Sequence, residues 1–242
     1  MTMFLWGLCG TMFLFLMTSA GAATVFLLRR PLPTKYEGLV LGFAAGVMSA
    51  AGIWSLLLPS LEQAGTKGMG IPWLPAAAGL TLGTLCLAKL DHLVAGDTQR
   101  SLLPAAITLH NVPEGMAVGL GFAMAESRGG LAMAWAMAIG IGLQNFPEGA
   151  AISLPLHQQG KSRKSAFLRG VLSGAVEPLA GVAVFLAAGL LECAMPWLLS
   201  FAAGAMLYVV VEELVPQGKE SHGCVGFLAG FVLMMVLDVA LG

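Results

Sequence analysis

Charge is what this sequence has least of. Asp, Glu, Lys and Arg make up 10% of its 242 residues, against roughly 25% in a soluble globular domain. Hydrophobic residues make up 57%. No basic patch is present, and the net charge of −1 gives nucleic acid nothing to hold. Cysteine is sparse: Cys9, Cys86, Cys193 and Cys224 are scattered without a CxxC pair, so they read as small apolar residues packed in helices. The apolar N-terminus has no positive n-region, and Arg29-Arg30 follow the run rather than precede it. A retained first helix is expected there, not a cleaved signal peptide. Long polar linkers are missing as well, which leaves no room for a separate soluble domain.

What remains is a series of apolar runs of about 20 residues, the length needed to cross a bilayer. Bounded by charges, Pro and Gly, they predict an all-α membrane protein of eight transmembrane helices. The spans fall near 3–28, 36–60, 71–93, 102–125, 129–156, 166–191, 194–215 and 223–241, all in a single polytopic domain, 1–242. Lys and Arg test the orientation. The connections after spans 1, 3, 5 and 7, with their flanks, hold ten of them and the other side holds only Lys67 and Arg128. The positive-inside rule then sets those connections in the cytoplasm and both termini outside. Small residues four apart (Gly42 and Gly46, Gly79 and Gly83, Gly115 and Gly119, Gly226 and Gly230) let helix backbones approach closely. Packing within the chain is the expected use.

Against this background two hexapeptides stand out, His110-Asn111-Val112-Pro113-Glu114-Gly115 and Gln144-Asn145-Phe146-Pro147-Glu148-Gly149. A charged side chain at bilayer depth costs at least ~2.5–3.5 kcal/mol, and it usually marks a pathway or a bound ion. His110, Asn111 and Glu114 share one helix face by their spacing, and Gln144, Asn145 and Glu148 repeat that face on the next span. Consecutive spans run in opposite directions, so the repeat has inverted topology, as transporter sites often do. Pro113 and Pro147 free the carbonyls of Leu109 and Leu143, and kinks are expected there. Glu177-Pro178 adds a third carboxylate. Three such groups raise one another's pKa unless compensated, and a divalent cation compensates them. Carboxylate and amide oxygens with one imidazole suit first-row ions such as Zn, Mn or Fe(II), and Met48 could add a thioether.

Blander readings stand beside these. Glu114 and Glu148 could be a structural hydrogen-bonded pair, and Asn111, Gln144 and Asn145 could cap freed carbonyls. Without Glu114 four residues on, His110 would read as a satisfied core histidine. Glu212-Glu213 near the inner face could be an interfacial pair or line an exit, and Glu62 could be merely solvated or gather cations. Asp91, His92, His157, His222 and Asp238 read first as interface residues.

At these residues the chain resembles the ZIP (Zrt/Irt-like) family of divalent metal transporters, within it the bacterial GufA-like branch. The likeness rests on HNVPEG at 110–115, QNFPEG at 144–149, Glu177-Pro178 and GAMLYVVVEE at 204–213, and it extends over essentially the whole chain. It implies a 3+2+3 inverted-repeat arrangement and a metal site between spans 4 and 5. One metal would take His110, Glu114, Gln144 and Glu148 with Met48. A second would take Asn111, Asn145 and Glu177, with Glu114 and Glu148 bridging. Glu213, with Glu212 beside it, would line the cytoplasmic exit. The resemblance further implies zinc as cargo, with manganese, iron(II) or cadmium as others, and no resident cofactor. It also implies movement toward the cytoplasm, an elevator-like motion of spans 1, 4, 5 and 6 against 2, 3, 7 and 8, a homodimer, and a bacterial inner membrane. Gln144 stands where many relatives have His, which weakens strict zinc selectivity, and Asn145 where some have Asp, which weakens double occupancy. No His-rich loop joins spans 3 and 4, so no loop-based metal sensing is expected.

A metal-dependent membrane hydrolase would also need carboxylates and His in lipid. HExxH is absent, though, and His110 is the one histidine at mid-span, which leaves no open His-rich zinc site with a separate base. A passive channel would use the same polar residues as a carrier, and sequence does not separate the two.

Overall fold

A bilayer offers no hydrogen bonds to the backbone, so an apolar chain that enters it must bond to itself, and helices do this within one segment. The structure, a computed structural model, describes residues 2–27, 34–66, 68, 70–94, 103–125, 130–187, 192–218 and 222–241. Among the described residues regular structure is entirely helical. The helices are α1 (Thr2–Ala23), α2 (Thr34–Ala51), α3 (Leu58–Thr66), α4 (Trp73–Val94), α5 (Leu103–Ala123), α6 (Gly130–Gln158), α7 (Arg163–Gly174), α8 (Val176–Leu186), α9 (Met195–Val209), α10 (Val215–Gly218) and α11 (Gly223–Leu241). A π-helical turn at Gly52–Leu57 joins α2 to α3, and another at Val210–Leu214 joins α9 to α10. Taken through these joins, and through the break between α7 and α8, the helices make eight long segments at the predicted positions. Five of them (Thr2–Phe26, Gly38–Thr66, Arg163–Leu186, Met195–Glu212 and Gly223–Ala240) are long and apolar enough to cross a membrane.

Packing sorts the segments into two groups. In the first, α1 lies along α6 and α5 along α8, with α7 against α1 and α6. In the second, α2 pairs with α11 and α4 with α9. The groups meet where α5 touches α9 and α2 touches α6. Glycine makes the tight pairs possible. A methyl group added at Gly42 or Gly46 would collide with the carbonyl of Gly223 or Phe227, and one at Gly226 or Gly230 with that of Leu39 or Phe43. The small-residue stripes are therefore used inside the chain, as expected. Hydroxyls add polar contacts between helices: Ser60 donates to the Pro196 carbonyl (2.6 Å), Ser200 to that of Pro75 (2.9 Å) and Thr84 to that of Gly204 (3.1 Å).

The structure bears on three expectations. Helix α5 runs through Pro113, and α6 through both Pro147 and Pro155, while the sixth segment is interrupted at Ala175. Pro178 cannot donate to Gly174, so α7 ends there and α8 starts afresh with Pro178 in its first turn, where a missing N–H costs nothing. The four cysteines are free and exposed, not packed. A helix face turned to lipid accepts a small apolar thiol as readily as an interior does. Asp238 is partly buried and accepts a hydrogen bond from Ser55 Oγ at 2.7 Å, which ties α11 to the π-helical turn after α2.

Gly46→Ala forces a side chain against the backbone of Phe227. The expected loss in unfolding stability is about 1–3 kcal/mol, the usual range for overpacking, read from thermal unfolding in detergent. Gly65→Ala, which meets open space, leaves the transition in place.

Candidate functional site

Both hexapeptides lie in continuous helix, so their spacing translates directly into faces. Asn111 and Glu114 sit on α5, Gln144, Asn145 and Glu148 on α6, and Glu177 on the first turn of α8; all six are fully buried. Six polar side chains without solvent contact, three of them carboxyl, in a bundle otherwise apolar are the largest exception to its composition. Fully buried carboxyl groups persist only where something compensates them.

Uncharged groups supply part of that compensation. Gln144 Nε2 donates to Glu114 Oε1, so the polar faces of α5 and α6 are in direct contact. Thr18 of α1 donates from Oγ1 to Glu177 Oε1 at 2.9 Å. Asn111 Nδ2 donates to the Ser173 carbonyl at 3.1 Å. Ser173 lies in the last turn of α7, where the helix end leaves carbonyls without an intrahelical donor, so the break before Glu177 and the amide of Asn111 answer each other. Backbones close the arrangement. A methyl on Gly115 would strike the carbonyl of Glu177, and one on Gly149 that of Thr18. The glycines that end the two hexapeptides thus let α8 and α1 reach the site.

The amides are oriented with oxygen to spare. Asn111 Oδ1, Gln144 Oε1 and both polar atoms of Asn145 are buried without a hydrogen-bond partner among the described residues. A buried amide group left unpaired costs about 1–3 kcal/mol. Three amides in that position on facing helices make a donor set for a hard or borderline cation, with Glu114, Glu148 and Glu177 supplying charge. Among the described residues no three His, Cys, Asp or Glu side chains converge closely enough to hold a metal by themselves. The amide oxygens of Asn111, Gln144 and Asn145 lie beside these carboxylates as further donors. Met48 is fully buried in α2, which packs on α6. His110 and Glu213 belong to helical segments, but their side chains lie outside the described part of the structure. Glu212 is exposed in the π-helical turn after α9.

Three groups had not been anticipated: Thr18, Ser55 and the Ser173 carbonyl. Thr18 was legible in part. The buried residues of α1 are Gly7, Gly10, Thr11, Leu14, Thr18, Gly21 and Ala22, a helical stripe of small and hydroxyl residues that average hydropathy conceals. Ser55 sits in the first π-helical turn, on a cavity of about 460 Å³ between the two helix groups. Asp238 and the exposed Glu62 line it too, with Ala117 of α5 and Ile141 of α6.

Comparison with known proteins gives a consistent result. The family model described as "ZIP Zinc transporter" matches residues 89–238. Human "Zinc transporter ZIP11" is 36% identical over 97% of this chain and 97% of its own length. "Zinc transporter GufA" of Myxococcus xanthus is 36% identical, over 93% of this chain and 94% of that protein. "Zinc transporter ZIPB" of Bordetella bronchiseptica is 40% identical, over 94% of this chain and 79% of that protein.

Asn111→Leu leaves the Ser173 carbonyl without its side-chain donor. The expected cost in unfolding stability is about 1–3 kcal/mol, together with weaker zinc binding measured by titration calorimetry on the purified protein. Retention of both properties would place Asn111 outside the site.

Proposed function

This chain belongs to the ZIP family of zinc transporters, a family of membrane transporters rather than enzymes, and from that premise we propose that it carries divalent metal ions across a bilayer. Zinc is the first cargo, with manganese, iron(II) and cadmium as others that the same ligands would accept. The observation that carries the reading is the set of six fully buried polar residues on α5, α6 and α8, joined across helices by the Gln144–Glu114 hydrogen bond. Such a set is costly in an apolar bundle unless a cation visits it.

The ligands are Glu114, Glu148 and Glu177 with the oxygens of Asn111, Gln144 and Asn145, joined by His110 and Met48. An ion arriving in water is stripped of part of its shell and takes protein oxygens instead. Glu114 and Glu148, on facing helices, carry most of the compensating charge. The amide oxygens complete the coordination sphere without adding repulsion, which keeps the ion releasable. Asn145 in particular supplies an oxygen and no charge.

The chain crosses the membrane eight times as one domain, with both termini outside and the basic connections in the cytoplasm. Transport runs inward, by an elevator-type motion of the group built on α1, α5, α6, α7 and α8 against the group built on α2, α4, α9 and α11. Support comes from the packing, which is dense within each group and confined between them to a seam that also holds the cavity at Ser55, Glu62 and Asp238. That cavity is the approach route, Glu212 and Glu213 lie on the exit side, and the functional unit is a homodimer in the bacterial plasma membrane.

Glu114→Ala and Glu148→Ala are each expected to abolish uptake of radiolabelled zinc by proteoliposomes, while the variants still elute as folded protein. Uptake near the wild-type rate in either would refute the site. Gln144→His exchanges an amide oxygen for an imidazole nitrogen, so preference should shift toward zinc over manganese. An unchanged ratio in a competition assay would remove Gln144 from the ligand set.

A further inference from the structure

We propose that Thr18 of α1 is a positioning residue for transport, holding the carboxylate of Glu177 through its hydroxyl; this rests on the reading of Glu177 as a site carboxylate. The residue lies outside the segment that the family model matches, which begins at residue 89.

Four observations meet at this hydroxyl. Thr18 is fully buried. Its Oγ1 is 2.9 Å from Glu177 Oε1 and 3.3 Å from the carbonyl of Leu14, one turn back in its own helix. A threonine in a helix ordinarily bonds that carbonyl, and here the shorter contact goes to the carboxylate of another helix. A single hydroxyl hydrogen cannot serve both acceptors fully, and a charged acceptor forms the stronger bond. Finally, the approach is built. Gly149 gives α6 room against the Thr18 carbonyl, and Gly174 gives α7 room against the Thr18 Cβ, a methyl added there lying 2.9 Å from it. Two glycines thus deliver one hydroxyl to one carboxylate.

The consequence follows from the torsions of glutamate. Its side chain has three of them, and freezing a flexible chain costs entropy each time a ligand needs one orientation. A hydroxyl fixed on Oε1 removes part of that cost before the cation arrives. Groups that orient a metal ligand in this way typically change affinity about 10–100-fold when removed.

Thr11 supplies an internal control. It lies two turns away on α1, equally shielded, and among the described residues its hydroxyl bonds only to carbonyls of its own helix, Gly7 at 3.1 Å and Leu8 at 3.2 Å. Thr18→Val and Thr11→Val therefore make the same chemical change, one at the site and one away from it.

The test is zinc uptake by the full chain in proteoliposomes, with KM and maximal rate determined for Thr18→Val, Thr18→Ser, Thr11→Val and Glu177→Ala. Thr18→Val should raise KM by about 10–100-fold, Thr18→Ser should restore it, and Thr11→Val should match wild type. Thr18→Ala replaces the valine variant should that one fail to elute as folded protein. Wild-type KM in Thr18→Val beside an impaired Glu177→Ala would overturn the inference alone. Equal impairment in Thr18→Ser and Thr18→Val would also overturn it, since packing and not the hydroxyl would then matter. Wild-type transport by Glu177→Ala would overturn the reading of Glu177 and this inference with it.

Discussion

Everything in this molecule answers to one constraint: carboxyl and amide groups lie in a bundle where water does not reach them. Glu114, Glu148 and Glu177 are fully buried, as are Asn111, Gln144 and Asn145. An unpaired carboxylate in such surroundings neutralises itself or finds a partner. The described partners are an amide for Glu114 and a hydroxyl for Glu177. Around them the glycines at 115 and 149 let α8 close on α5 and α1 close on α6. The tight packing and the polar site are one arrangement seen from two sides.

The break before Glu177 belongs to the same arrangement. A helix that ends at Gly174 and restarts at Val176 frees carbonyls at its end, and Asn111 takes one of them. Its side-chain oxygen is left over, facing no donor among the described residues. On the proposed reading, an element that looks like a defect in the sixth segment both fixes a ligand and places the third carboxylate.

Much of this was legible in the sequence. The eight apolar runs gave the long helical segments to within a few residues, because lipid-length hydrophobicity is a strong signal and caps are weak ones. The two hexapeptides gave five buried polar positions and Glu177-Pro178 a sixth, because a carboxylate within an apolar run has few explanations. The rest was hidden for physical reasons. Whether a proline interrupts a helix depends on what surrounds it: α5 and α6 run on through Pro113 and Pro147, while Pro178 follows a break. The π-helical turns at Gly52–Leu57 and Val210–Leu214 have no compositional signature. Contacts between distant helices, such as Thr18 with Glu177 or Ser55 with Asp238, depend on rotation about the helix axis, which apolar runs that are hydrophobic all round do not encode.

The central claim is that these buried groups hold a divalent cation. Anomalous diffraction from crystals of the zinc-loaded protein, collected on both sides of the zinc absorption edge, tests it most directly. The account predicts a zinc peak between α5 and α6, within bonding distance of carboxylate oxygens of Glu114 and Glu148 and of at least one amide oxygen. Zinc peaks confined to exposed residues at the membrane surfaces, with none between those helices, would contradict it.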